Sequence, residues 1–138
     1  MAIVLDADVI IRGERGTFDL SAWVAGQPTE EFAVAAITVA ELWHGIERAT
    51  GARRARRHSY LQQFLSAVPV LPYTAQTAFE HARVWAALEE RGAMIGFYDV
   101  IVAATALERN WPVASFNVRH FRTVEGLKVI EPNSEAST

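Results

Sequence analysis

Five short runs of this 138-residue chain are apolar almost throughout: AIVLD (2–6), FAVAAI (32–37), VPVLP (68–72), PVASF (112–116) and LKVIEP (127–132). A strand without alternating polar positions needs cover on both faces, and parallel neighbours need crossovers long enough to hold a helix. The intervals supply such crossovers. Helical spacing is expected in ADVIIRGERG as a short helix or turn, in FDLSAWVAG, in TVAELWHGIERAT, over 52–67, from Thr74 to Arg91 and in YDVIVAATALERN. The long Thr74–Arg91 helix is expected to turn Phe79, Ala82, Val84, Trp85 and Leu88 inward. The alternation predicts an α/β fold in three layers, helices on both faces of a central parallel sheet of four or five strands.

No repeat or long linker divides the chain, so one domain is expected over residues 1–132, with 133–138 as a disordered tail that has nothing to bury. No apolar run reaches the roughly 18 residues of a membrane span, and the N-terminus lacks the basic start of a signal peptide. A soluble, cytoplasmic protein is therefore expected. The absence of cysteine excludes disulfides and thiolate metal sites.

Two carboxylates, Asp6 and Asp8, interrupt the first apolar run, IVLDADVII. In parallel sheets ligands gather beyond the carboxyl ends of the strands, where Asp6, Glu41 and Ser115 with Asn117 should converge. Asp99, in GFYDVIVAATA, opens a later helix. Each acid has a local explanation: Asp6 or Asp8 as a helix cap, Thr38 to Glu41 as a capping box, Asp99 as a favourable charge on a helix macrodipole. Together they point elsewhere. Gathered carboxylates repel one another unless a cation neutralises them, and a hard divalent ion, Mg²⁺ or Mn²⁺, prefers oxygen ligands. Such a site is equipped for phosphodiester hydrolysis.

The net charge of −3 argues against a chain that coats nucleic acid indiscriminately. Twelve of its thirteen Lys and Arg residues are arginine, and Arg53, Arg54, Arg56 and Arg57 cluster in RRARRH. That cluster either contacts phosphates or acidic protein, or is a solvated helix face. Among the histidines, His44 reads as structural, and His58 and His81 have no ligand-like partner in spacing. Arg119 and His120, in SFNVRHF, are candidates for touching substrate.

LDADV after a strand also looks like the first motif of haloacid-dehalogenase-like phosphatases, but the later lysine and acidic pair are missing. Receiver domains need an aspartate after the third strand, and none stands between Asp19 and Asp99. Four motifs in order, LDADVII, TVAELWHG, YDVIVAATAL and SFNVRHF, resemble instead the pattern of PIN domains, in particular the VapC-type toxins. The resemblance implies a PIN-like α/β/α sandwich and a Mg²⁺- or Mn²⁺-dependent endoribonuclease acting on RNA. It also implies a homodimer and inhibition by a cognate antitoxin. On it, Asp6, Glu41 and Asp99 fall on metal-binding acids, Asp8 on a variable polar position and Ser115 on the usual threonine or serine. Asn117 stands where many members carry a fourth acid, which leaves a non-catalytic binding module on the same scaffold as the alternative.

Overall fold

A computed structural model describes residues 1–133. Its elements are β1 (Ala2–Leu5), α1 (Ala7–Arg15), α2 (Leu20–Ala25), β2 (Glu31–Ala35), α3 (Ala36–Arg48), α4 (Gly51–Ala67), β3 (Val70–Leu71), α5 (Ala75–Glu90), α6 (Phe97–Leu107), β4 (Val113–Ala114), α7 (Val118–Phe121) and β5 (Val129–Ile130). All but the first residue of the expected tail lies outside the described residues. Among those described, no helix is long and apolar enough to cross a membrane.

The five strands pair in parallel in the order β3-β2-β1-β4-β5, with Val4 opposite Ala33 on one side and Val113 on the other. The chain lays down β1, β2 and β3 outward in one direction, then crosses back to add β4 and β5 on the other flank of β1. β1 is buried along its whole length. The two-residue alternation of a strand sends Val4 into a core with Val102, Leu88 and Phe121, while Ile3 and Leu5 enter a second core with Ile10, Phe18 and Trp23. Two cores on opposite sheet faces make the expected three layers.

Local chemistry sets the element ends that matter for function. α1 begins where Asp6 turns extended and stops at Gly16, whose left-handed φ of 77° returns its N–H to the Arg12 and Gly13 carbonyls. Within α1, a Cβ on Gly13 would lie 2.6 Å from the Tyr60 hydroxyl, so the bare backbone lets α4 approach. α6 is buried from Val100 to Ala106, and its small residues lie close against the sheet.

Two expectations are corrected. The second strand ends at Ala35, so Thr38 is not a helix cap: it lies inside α3, fully buried, and no capping box forms with Glu41. On α5 the buried residues are Thr77, Val84 and Leu88, whereas Phe79, Ala82 and Trp85 are exposed. The stripe that packs is narrower than the apolar content suggests, and it includes a threonine whose hydroxyl donates to the Glu108 carboxylate.

Candidate metal centre

Because the strands run parallel, the residues after β1, β2 and β4 emerge at one sheet edge, and Asp6 is the first of them. It is only 5% exposed, and its carboxylate is held on both sides. Oδ1 accepts the Ala7 N–H at 2.9 Å as the α1 cap, and Oδ2 accepts the Ser115 hydroxyl at 2.8 Å. Ser115, fully buried, in turn accepts the Asn117 N–H at 2.8 Å, which folds the chain after β4 onto Asp6. Asp8, in the first turn of α1, accepts the Phe116 N–H at 3.1 Å and ties the same loop to α1. Of the two acids in the first strand's motif, Asp6 is thus the cap.

Glu41 lies in the middle of α3, with Oε1 buried and without a hydrogen-bond partner. Asp99 sits in the first turn of α6, and a Cβ on Gly96 would stand 3.3 Å from its Oδ2. Across from it, His120 Nδ1 lies 3.7 Å from Asp99 Oδ2 and is hydrogen-bonded to the Asn117 side chain at 2.8 Å. Asn117 precedes α7 but makes no side-chain cap. Arg119 is exposed, and its side chain makes no hydrogen bond or ion pair among the described residues.

The acids share one electrostatic environment. Burial, then the neighbouring Asp8 charge, pushes Asp6 up to about 7 in spite of its hydrogen bonds, with Asp99 adding to the rise. Burial and the Asp99 charge push Glu41 up to about 7 as well. Asp8 and Asp99 are raised chiefly by burial, opposed by the Phe116 N–H and Arg12 in the first case and by His120 in the second. No basic side chain enters the balance at Asp6 or Glu41. Unneutralised charge of this kind fits a cation, and the donor set is all carboxylate oxygen, the type a hard divalent ion takes. Among the described residues, no three Asp, Glu or His side chains are already drawn together closely enough to enclose one.

The arginines of RRARRH divide. Arg54 donates to the Ile46 carbonyl at 3.0 Å, the Glu47 carbonyl and the Glu47 carboxylate, closing the C-terminal end of α3. Arg57 pairs with Glu14 at 3.6 Å. Arg53 and Arg56 are exposed. Sequence reading missed Glu14 and Arg15, which α1 brings beside this cluster, and Arg12, whose guanidinium lies 4.0 Å over the Phe116 ring. Only the packing of α1 on α4 reveals them; no spacing in the sequence does. Between these helices and α3 lies a cavity of about 200 Å³ whose lining includes Ile10, Leu42, Ile46 and Leu61, with Glu41 on its wall.

A family model described as PIN domain matches residues 3–127. Ribonuclease VapC1 of Rickettsia felis is 26% identical over 137 residues, covering 98% of this chain and 99% of that one. VapC ribonuclease Y4jK of Sinorhizobium fredii is 33% identical over 136 residues, covering 94% and 96%. Among solved structures, a member of the VapBC family of toxin-antitoxin systems, VapBC-5 from Mycobacterium tuberculosis, superposes with a TM-score of 0.75 at 26% identity, covering 94% and 98%.

Proposed function

Since this chain belongs to the PIN-domain family, we propose that it is a Mg²⁺- or Mn²⁺-dependent endoribonuclease, the toxin of a cytoplasmic toxin–antitoxin pair. One observation carries the reading: Asp6 after β1, Asp8 on α1, Glu41 on α3 and Asp99 on α6 crowd one sheet edge, where Asp8 and Asp99 raise Asp6, Asp99 raises Glu41, and no basic group offsets the charge at Asp6 or Glu41. The relatives named as VapC ribonucleases support the substrate class.

Asp6, Glu41 and Asp99 would hold the ion. Bound there, it would act as a Lewis acid toward a phosphoryl oxygen and make a nucleophile from water at neutral pH. The chain's own residues do the rest. Ser115 fixes the rotamer of Asp6, and Asp8 anchors the loop that carries Ser115 and Asn117. Asn117 offers a neutral oxygen where a fourth acid would add charge, so one ion per chain is expected. His120 and Arg119 stand at the rim, where a phosphodiester would pass. Hydrolysis of this kind leaves the 2′-OH uninvolved, so products should carry 5′-phosphates.

Two partners complete the proposal. VapBC-5 supports a cognate antitoxin, and the apolar cavity beside Glu41 suits a segment of such a protein. Exposed Trp85, Phe97 and Tyr98, joined through the His81 ring, form the apolar surface that a second copy would cover.

Asn117 and the open arrangement of the acids favour one competing reading, a non-catalytic RNA- or protein-binding module. Calorimetry with Mn²⁺ separates them. The nuclease should bind close to one ion per chain and lose Mg²⁺-dependent RNA cleavage on Asp6→Asn or Asp99→Asn; an inert scaffold should bind no ion and cleave nothing.

A further inference from the structure

The basic residues of α1 and α4 sort into those with work inside the fold and those without. Arg12 covers Phe116, Arg54 closes α3 and Arg57 holds Glu14. Arg15, Arg53 and Arg56 are exposed, and their side chains make no hydrogen bond or ion pair among the described residues. All three line one surface cleft of about 450 Å³, whose remaining walls are Glu14 and Arg57. Arg15, Arg57 and Glu14 also line the cavity that Glu41 reaches, so the cationic cleft adjoins the one acid of the site that faces this cavity.

A polyanion approaching that site meets gathered carboxylates on a chain of net charge −3, so its approach needs local positive charge. Guanidinium groups supply it in the form suited to phosphate, a planar fork that donates two parallel hydrogen bonds. The cleft's lining is charged throughout, with no apolar side chain to seat an amphipathic peptide. The neighbouring apolar cavity offers that instead. From this we infer that the α1–α4 cleft is a track for the phosphodiester backbone of RNA beside the bond to be cut, with Arg15, Arg53 and Arg56 as its phosphate contacts. The inference rests on the ribonuclease reading above. Contacts of this type position a strand without reading its sequence.

The test uses the full chain carrying Asp6→Asn, so that RNA stays intact, with and without Arg15→Ser, Arg53→Ser and Arg56→Ser together. Binding of a labelled single-stranded RNA is followed by anisotropy across a KCl titration, with thermal melting as the control for folding. The triple variant should bind about tenfold more weakly, and its slope of log affinity against log salt should shrink by about 2, since each phosphate left without its arginine takes roughly 0.7 from the slope. The matching triple lysine variant should keep most of the slope while binding less tightly than arginine. Unchanged affinity and slope would overturn the track, as would unchanged RNA binding with abolished binding to poly-glutamate, which would make the cleft a protein-docking surface. Cleavage by the unsubstituted chain keeps the two readings apart: RNA cut with Mg²⁺ but no change in slope sinks the track alone, whereas neither cleavage nor RNA binding sinks both.

Discussion

Ser115 donates a 2.8 Å hydrogen bond to Oδ2 of Asp6 across 109 positions of sequence, and both groups are buried. This bond orients the most enclosed carboxylate of the site and works against the rise in its pKa. Ser115→Ala should therefore cost about 1 kcal/mol of stability, the usual worth of such a bond. It should also shift the Mg²⁺ dependence of cleavage to higher concentration, with a smaller loss of activity than Asp6→Asn. Melting curves and a metal titration of the rate check both; an unchanged metal dependence would reduce Ser115 to a structural role.

Asp6 and Asp8 should separate in kinetics. Asp6→Asn removes a charge from the proposed ion site and should lower kcat by about 100-fold or more, in the range seen when transition-state electrostatics are lost. Asp8→Asn keeps an oxygen for the Phe116 N–H and should cost about tenfold or less. Equal losses would place Asp8 among the ion's ligands.

The metal-free chain should lose stability as pH rises. Asp6 and Glu41 have folded pKa values raised to about 7, well above their unfolded values. The folded state then binds protons that the unfolded state releases. Stability is full below the unfolded values and declines as pH climbs through the folded ones. In chelator the melting temperature should be higher near pH 5.5 than near pH 8, and Glu41→Gln should flatten the difference, while added Mg²⁺ should raise the value near pH 8. A melting temperature that rises with pH in chelator would contradict the crowded-acid account.

Gly13→Ala tests how α1 sits on α4. The added Cβ would stand 2.6 Å from the Tyr60 hydroxyl and 3.0 Å from Leu20 Cβ, so the Tyr60 side chain must swing aside and Leu20 must give by a few tenths of an ångström. Overpacking of this kind costs about 1–3 kcal/mol, to be read from chemical denaturation.

The exposed aromatic surface predicts assembly. Trp85→Glu with Phe97→Glu should convert a dimer to a monomer in light scattering and leave the melting of the monomer nearly unchanged, since both side chains are largely exposed. A wild-type monomer would remove the proposal.

What could be read from residues alone follows from how local each feature is. The apolar run before Asp6 defined both the central strand and the acid at its end. The start of α3 is hidden in the sequence because Ala36 and Ile37 prolong an apolar run that only the backbone breaks. The inward face of α5 is not legible in the sequence because Phe79 and Trp85 mimic a core stripe although they are exposed, while Thr77 is buried against a distant glutamate. RRARRH read as one patch, yet Arg54 and Arg57 are taken up by Glu47 and Glu14, partners set by helix packing.

The order β3-β2-β1-β4-β5 has a temporal meaning as well. β1 is the first strand made, but its second neighbour, β4, and the Ser115 clamp come from the last quarter of the chain. Until that part leaves the ribosome, Asp6 has neither its partner strand nor its hydroxyl donor. On the role proposed for Asp6, a chain built this way would complete its site only once β4 has been made, late in its own synthesis.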